Sequence, residues 1–221
     1  QLFASHEGLT RSAQRTLIGD SLAPEFSEAD IRQGQRPNGS TDPASADYRR
    51  MSAAGFRDYR LTVTGLVDRP QTLSLADLTA LPSRTQITRH DCVEGWSCIA
   101  KWQGVPLGTV LKLAQLKICA RYAVFHCFDA IERSLSGEVF YYESIDLIDA
   151  FHPQTILAYA MNGAPLPVAN GAPLRLRVER QLGYKMAKYV HTIELTDSLA
   201  ALGYGRGSYW ADRGYEWYAG I

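Results

Sequence analysis

TQITRHDCVEGWS, residues 85–97, begins as a strand pattern and ends in a turn around a cysteine. Polar and apolar side chains alternate over 85–90, as they do in a half-buried strand. Gly95 marks the turn, so Cys92 stands at the strand end, where functional side chains often collect. A thiolate in such a place is a good ligand for a soft transition metal. The alternative is a buried cysteine that packs as a small apolar residue.

The flanking sequence adds further strands and a few short helices. Alternating or apolar runs predict four strands, at 59–64, 122–125, 174–178 and 189–195. Ser74 is a plausible cap for a short helix at 74–78, and apolar residues at helical spacing predict another helix over 106–116. Because strands outnumber helices, the pattern favours a mixed α+β fold, dominated by strands and with short helices.

Both ends of the chain differ from this central part. Residues 1–50 are polar and rich in turn residues, so we expect an extended N-terminal arm with a short helix at 27–33, capped by Ser27. Residues 51–221 then form the domain and end in an aromatic-rich tail. The tail contains Tyr204, Tyr209, Trp210, Tyr215, Trp217 and Tyr218. We expect these rings to pack across the domain, and the alternative is a docking patch for an electron-transfer partner.

Composition excludes several kinds of protein. The 221 residues include 23 basic and 23 acidic side chains, a balance that argues against nucleic acid or an anionic membrane as the main partner. No apolar run reaches the roughly 18 residues that a membrane helix needs. The four cysteines form no CxxC pair and no CxxCH motif, so we expect neither structural zinc nor covalently attached haem. Because the chain begins at Gln1 and not at Met, we expect that a preceding segment has been removed, either by processing of an N-terminal signal or by the choice of the expressed sequence.

The cysteine stretch is one of three segments that stand in a distinctive order. They read CVEGWS at 92–97 with WQGVPL at 102–107, MNGAPLP at 161–167 with NGAPLR at 170–175, and GYKMAKY at 183–189. In this order they resemble the sulfite-oxidase-type molybdopterin oxidoreductase family and, within it, the bacterial periplasmic reductases that act on S-oxides. The resemblance covers about residues 59–197 and implies a sulfite-oxidase-type molybdopterin-binding fold.

The resemblance also implies a cofactor site. Cys92 would bind molybdenum, whose other ligands are a pterin dithiolene and oxo or hydroxo groups. The residues expected to bind molybdopterin are Asn38, Cys127, His152, Asn170, Arg175, Met186, Ala187 and Lys188. Arg175 and Lys188 would bind the pterin phosphate, while Met186 and Ala187 would donate backbone N–H groups.

Several of these residues also have an ordinary structural interpretation. Arg175 and Lys188 could be solvated side chains, and Asn38 could be a turn residue before a glycine. His152 could be a structural histidine. Cys127 stands where the reductases have a threonine, and a thiol donates only weakly, which puts that contact in doubt.

The implied chemistry is the transfer of an oxygen atom between water and a substrate, with two electrons passing through molybdenum. The chain has no haem or iron–sulfur motif, so we expect a separate membrane or soluble cytochrome to exchange the electrons. Asp91 and Glu94 flank Cys92, and the nearby basic residue is Arg89, a candidate catalytic residue. Two carboxylates disfavour an anionic substrate, so we expect oxygen transfer to or from a small S-oxide or N-oxide.

Two other functions stay open at this point. One is a sulfite dehydrogenase, in which Arg89 and more distant basic residues would outweigh the local acids. The other is a non-catalytic protein that binds the cofactor or a partner. The resemblance further implies a periplasmic bacterial protein, which we expect to be a monomer.

Overall fold

Two sheets of five strands each organise the computed structural model, which describes residues 21–134 and 137–221. The strands are β1 (Arg60–Gly65), β2 (Gln71–Ser74), β3 (Arg84–Cys92), β4 (Trp96–Pro106), β5 (Tyr122–Ser134), β6 (Gly137–Asp146), β7 (Ile156–Met161), β8 (Ala164–Pro165), β9 (Arg175–Arg177) and β10 (Val190–Thr196). The described α-helices are α1 (Ala46–Ala53), α2 (Leu75–Ala80), α3 (Leu107–Ala114) and α4 (Leu147–Ala150). The predicted strand-dominated α+β fold is therefore confirmed.

The first sheet has the order β2-β1-β10-β5-β6, with β1 parallel to β10 and the other pairs antiparallel. Leu61 and Val63 of β1 are buried while the residues between them are not, as the alternating sequence predicts. A side chain at Gly65 would place its Cβ 2.2 Å from the Leu195 carbonyl oxygen, so this position requires glycine.

The second sheet has the order β3-β4-β7-β8, and β9 pairs with β7. The β3–β4 hairpin sets Cys92 opposite Trp96 and leaves three residues for the turn. Asn162 and Gly163 both have positive φ, as the tight turn between β7 and β8 requires. This sheet brings two of the segments that carry the family resemblance, at 92–107 and 161–175, onto neighbouring strands.

The short helices begin where the sequence predicts. Ser74 caps α2 through a reciprocal capping box with Asp77, and α3 lies inside the range predicted for it. The arm, which the structure describes from residue 21 onward, differs in part from the expectation, and its first 20 residues lie outside the described range. Its predicted helix at 27–33 is a single 3-10 turn, Glu28–Asp30, and α1 begins at Ala46, inside the stretch expected to be extended. Tyr48 explains α1, because its ring is buried against the domain and tertiary packing offsets weak local signals.

The aromatic tail packs across the domain, as predicted. Trp217 donates to the Ser144 hydroxyl at 2.8 Å, and Tyr209 stacks edge-on against Trp210. Tyr204, by contrast, is 80% exposed. Among the described residues, no helix is both long and apolar enough to cross a membrane.

Candidate active site

A cavity of about 100 Å³ opens beside the β3–β4 turn, and segments distant in sequence meet there. Four of the predicted site residues line it: Asn38, Cys92, Met186 and Lys188. The remaining lining residues are Gly39, Ser40, Val93, Glu94, Asp129, Ile131, Tyr141, Tyr184 and Trp210. The arm, the cysteine turn, the first sheet and the segment before β10 therefore all contribute to one site.

Cys92 offers the cavity a single sulfur. Its side chain is half-buried, and burial raises the pKa of the thiol. The Gly95 N–H donates to the Cys92 carbonyl at 3.0 Å, which fixes the turn that presents the sulfur. Within residues 21–134 and 137–221, no group of three or more His, Cys, Asp or Glu side chains could hold a metal ion alone. A metal at Cys92 would therefore need most of its ligands from a cofactor.

Arg175 is fully buried behind the cavity and has no carboxylate partner among the described residues. Its guanidinium donates to the Asn38 side-chain oxygen at 2.9 Å and to the Asn170 carbonyl at 3.1 Å. Burial, followed by repulsion from Arg177, lowers the pKa of Arg175 to about 9. Its positive charge is thus met by neutral oxygens and not by an acid.

Lys188 repeats this arrangement inside the cavity. Its ammonium donates to the carbonyl oxygens of Ser40 and Ala169, the latter at 3.0 Å. Burial and then Arg175 lower the pKa of Lys188 to about 7. Among the described residues no carboxylate forms an ion pair with it, so we call Arg175 and Lys188 the unpaired cations.

Three neighbouring cations, in contrast, are neutralised. Arg177, Arg180 and Lys185 form buried ion pairs, and we call them the paired cations. Their carboxylate partners are Glu179 at 2.6 Å, Asp149 at 2.6 Å and Glu143 at 2.5 Å, respectively. Arg177 also donates to Nδ1 of His90 at 3.0 Å, and its guanidinium lies 4.3 Å from the centre of the Trp102 ring. The charge of each paired cation is therefore balanced within the fold.

The residues present fit an anionic cofactor. The buried polar atoms without a partner among the described residues include Arg175 Nε and three atoms of residues that interact with the unpaired cations: Asn170 Nδ2, Asp129 Oδ1 and His90 Nε2. Such atoms are costly unless a ligand binds them. A phosphate would accept from Arg175 and Asn170 and would compensate the buried positive charge. The Cys92 sulfur supplies one metal ligand in the same cavity.

Met186 and Ala187 are expected to donate backbone N–H groups to the cofactor, and the structure differs from that expectation at Met186, while the donation by Ala187 stays a prediction. Met186 lines the cavity, but its backbone N–H already donates to the Gly183 carbonyl at 3.1 Å. Ala187 is buried, and its carbonyl accepts from the Leu176 N–H at 2.8 Å. The Met186 N–H is therefore already hydrogen-bonded within the protein and is not free to donate. Met186 still forms part of the cavity wall.

Arg89 lies on the other face of β3 from Cys92. Its guanidinium binds Asp91 at 2.8 Å, and Asp91 also accepts from the Ser97 hydroxyl at 2.5 Å. Arg89 and Asp91 line a second cavity, whose walls include Leu22, Phe26 and Ile221. The structure does not bring Arg89 together with Cys92, and it turns one of the two expected carboxylates away from the sulfur.

Glu94 does line the Cys92 cavity, at its rim. Its side chain is 54% exposed, accepts from the Trp96 ring N–H at 2.9 Å and lies 3.9 Å from the Arg36 guanidinium. Water and Arg36 both weaken its field at the sulfur.

His152 and Cys127 also lie away from this cavity. His152 is buried, with Nδ1 accepting from the Gln154 N–H and Nε2 within 3.3 Å of the Ser21 carbonyl. Cys127 is buried in β5 and lines a third cavity with His126 and Tyr142. Their predicted contacts with a cofactor stay predictions.

Sequence reasoning missed Asp129, Tyr141 and Trp210. Asp129 and Tyr141 lie on β5 and β6, far from the matched segments, and Trp210 belongs to the tail. Asp129 carried one signal: a carboxylate inside the long β5 strand, next to apolar residues, is uncommon unless it is bound or functional.

Comparison with known proteins places these observations in a family. A family model described as "Oxidoreductase molybdopterin binding domain" matches residues 49–201. A putative protein-methionine-sulfoxide reductase subunit of Azospira oryzae is 42% identical over 174 residues, which are 79% of this chain and 59% of that protein. The protein-methionine-sulfoxide reductase catalytic subunit of Xanthomonas campestris pv. campestris is 34% identical over 166 residues, 72% of this chain and 50% of that protein.

A solved structure supports the fold. The sulfane dehydrogenase SoxCD of Paracoccus pantotrophus aligns with a TM-score of 0.57 at 24% identity, over 64% of this chain and 39% of that chain. At this identity the likeness concerns the fold alone. The chain spans between 50% and 59% of the length of the two relatives above.

Proposed function

The chain belongs to the family of oxidoreductase molybdopterin-binding domains, and on that premise we propose that it reduces a small neutral S-oxide or N-oxide. Its fold is the sulfite-oxidase-type fold that the sequence predicts. One observation carries the proposal: the Cys92 sulfur and the Lys188 side chain line one cavity, and Arg175, buried behind it, binds the Asn38 side chain of the same lining. Relatives named as methionine-sulfoxide reductase subunits support the substrate class.

The side chains have separate roles in this proposal. When bound, the cofactor would supply two-electron molybdenum chemistry, and Cys92 would hold the metal. Arg175 and Lys188 bind the phosphate, one as a planar fork and the other as a point charge. Asn38 and Asn170 orient Arg175 through their oxygens. Met186, Tyr141 and Trp210 form walls that limit the access of water to the substrate.

The charge around Cys92 suits a neutral substrate. Glu94 adds negative charge at the rim of the cavity. The basic side chain in the described lining is Lys188, and its ammonium already donates to carbonyl oxygens. Once the cofactor phosphate engages Arg175 and Lys188, an incoming anion would find little compensation near the sulfur. Asp91, which faces the other side of β3, adds less to this preference than its position in the sequence suggests.

Sulfite oxidation is the second candidate, and Arg36 favours it. Arg36 lies 3.9 Å from Glu94 and its guanidinium lies over the Trp96 ring, so a cation stands at the rim of the cavity. If Arg36 turned toward the sulfur, it would attract an anion. A protein that holds the cofactor without turnover is a further alternative, which assays of the loaded protein distinguish.

The proposal includes the wider setting of the enzyme. We expect a membrane or soluble cytochrome to supply electrons, no haem in this chain, a periplasmic location and a monomer. These expectations follow from the family resemblance and from the absence of a haem motif in the sequence.

Steady-state kinetics test the substrate. Protein of known molybdenum content is assayed with methionine sulfoxide and trimethylamine N-oxide, using reduced viologen as donor, and with sulfite, using an oxidised cytochrome c as acceptor. We expect measurable reduction of a neutral oxide and poor oxidation of sulfite. Efficient sulfite oxidation without oxide reduction would instead identify a sulfite dehydrogenase, and loaded protein inactive in both assays would favour a non-catalytic role.

A further inference from the structure

We propose that Asp129 is the proton donor of the Cys92 cavity and delivers a proton to the oxygen that leaves the substrate. This inference rests on the proposed reductase function. It assigns a role to a residue that lies outside the matched segments, on β5.

Asp129 has the position that such a role needs. It is 4% exposed and lines the same cavity as Cys92 and Lys188. One carboxyl oxygen, Oδ2, accepts from the Ser40 hydroxyl at 2.6 Å. The other, Oδ1, is buried and has no hydrogen-bond partner among the described residues. A buried acid with one oxygen held and one oxygen free can carry a proton on the free oxygen.

Burial shifts the balance of Asp129 toward its protonated form. Burial raises its pKa, while the Ser40 hydrogen bond and the charge of Lys188 act in the opposite direction. The titratable groups that face it are Lys188, Tyr48, Tyr141, Tyr189 and Cys127. Of these only Lys188 is a cation, and burial lowers its own pKa to about 7. Proton donors work best when their pKa lies near the working pH.

The other polar groups of the cavity suit the role less well. Glu94 is half exposed at the rim and is bound to the Trp96 ring N–H. Lys188 directs its ammonium at two carbonyl oxygens. Asp129 is therefore the acid that is both enclosed and incompletely bound.

In the proposed reaction the electrons, protons and bonds are all accounted for. Reduction of an S-oxide breaks the sulfur–oxygen bond, consumes two electrons from the external donor and two protons, and releases the sulfide and water. The Asp129 O–H bond breaks as one O–H bond forms on the departing oxygen, directly or through one water molecule. The second proton comes from solvent, which also reprotonates the carboxylate before the next turnover.

Three variants separate proton donation from a structural role. Asp129→Asn keeps an acceptor for Ser40 but has no ionisable proton, Asp129→Glu restores the acid, and Ser40→Ala removes the hydrogen bond that lowers the Asp129 pKa. With reduced viologen and a neutral oxide, at matched molybdenum content, we expect kcat to fall roughly 100-fold in Asp129→Asn. The alkaline limb of the pH–rate profile should disappear in this variant, reappear in Asp129→Glu and move to higher pH in Ser40→Ala.

Infrared difference spectra during a pH titration provide a readout apart from activity. The carboxylic acid band of a buried protonated Asp should be present in the wild type, absent in Asp129→Asn and should titrate at higher pH in Ser40→Ala. An Asp129→Asn enzyme that retains the wild-type pH profile, or a wild type without this band, would overturn the assignment. If the loaded wild type reduces no oxide, the proposed function itself fails, and the proton-donor role falls with it even where the infrared band is present.

Discussion

The buried cations between residues 175 and 188 fall into two sets, and only one set forms ion pairs with acids among the described residues. Lys185 and Glu143 are both fully buried and lie 2.5 Å apart, and Arg177 is held by Glu179 in the same way. Arg175 is equally buried but faces amide and carbonyl oxygens. A buried charge without an opposite charge is costly, so a chain retains it where a ligand completes the pair.

The presence or lack of a carboxylate partner distinguishes the cations that serve the fold from those that bind a ligand. The paired cations have their charge neutralised by carboxylates and serve the fold. The unpaired cations, Arg175 and Lys188, leave positive charge and unpartnered donors beside the Cys92 cavity. Four predictions test or sharpen this division, beginning with the largest expected effect.

Replacing the metal ligand should have the largest effect. In Cys92→Ser we expect oxide reduction to fall to the assay background while the fold is retained, because the hydroxyl is a poor substitute for a thiolate on this metal. The matched control is Cys98→Ser on the neighbouring strand, whose buried thiol lines no part of the cavity. It should lose some stability and keep its turnover. Wild-type turnover in Cys92→Ser would remove the cysteine from the site.

Breaking a paired cation should cost the most stability. Glu143→Gln leaves Lys185 buried without its counter-charge, which typically destabilises a protein by about 3–5 kcal/mol. The control is Asp47→Asn, which breaks an ion pair with Arg50 on the surface and should change the free energy of unfolding by less than about 0.5 kcal/mol. Urea unfolding of both variants is the measurement. Equal, small losses would mean that the buried pair contributes no more than a surface pair.

Removing an unpaired cation should have the opposite sign. In protein made without cofactor, Lys188→Met should raise the free energy of unfolding near pH 7 by about 2 kcal/mol, since it removes a burial penalty that the charge of Asp129 offsets only in part. Because the folded-state pKa of Lys188 is lowered to about 7 from 10.5, the unfolded chain binds more protons between these values.

The wild-type apoprotein should therefore gain stability as pH rises from about 7 toward 10.5, and this slope should be weaker in Lys188→Met. Below pH 7 both states are protonated, so the gain from the substitution should be constant there. Urea unfolding across this pH range checks the prediction, with Lys101→Met, on an exposed ion pair, as control. A lower stability of Lys188→Met in apoprotein would show that the lysine already has adequate partners.

The smallest effect concerns the two faces of β3. Glu94→Gln should raise kcat/KM for sulfite by up to about fivefold, because a charge at the exposed rim is worth about 1 kcal/mol at most. Asp91→Asn, on the opposite face of β3, should change kcat/KM for sulfite by less than the variation between separate preparations of the same protein. Kinetics with sulfite and with a neutral oxide check both variants. A larger effect at Asp91 would place that carboxylate in the substrate path.

Much of the fold could be predicted because its information is local. Alternation in β1 and β3, the Ser74 cap and the Asn162-Gly163 turn each follow from neighbouring residues. The same alternation already separates Cys92 from Arg89 and Asp91, since residues an odd number of positions apart on a strand face opposite sides. Applied to the site, that rule would have removed Arg89 from the cavity before the structure was known.

The charge balance could not be predicted in this way. Glu143 and Lys185 are 42 residues apart, and Arg175 and Asn38 are 137 apart, so their contacts depend on the folded chain. The sequence contains equal numbers of acids and bases and gives no sign of which bases remain unpaired. Asp129 was missed for the same reason, since its burial and its bond to Ser40 come from the return of the arm to β5.

Molybdenum and pterin content per folded chain tests most directly whether the unpaired cations hold the cofactor. The wild type, Glu143→Gln and Arg175→Met are purified from a host that makes molybdopterin, and the metal is measured by elemental analysis and the pterin by fluorescence after denaturation. We expect close to one molybdenum per chain in the wild type and in folded Glu143→Gln, and close to none in folded Arg175→Met. A wild type without molybdenum, or Arg175→Met with full molybdenum and pterin, would contradict the assignment of the unpaired cations to the cofactor.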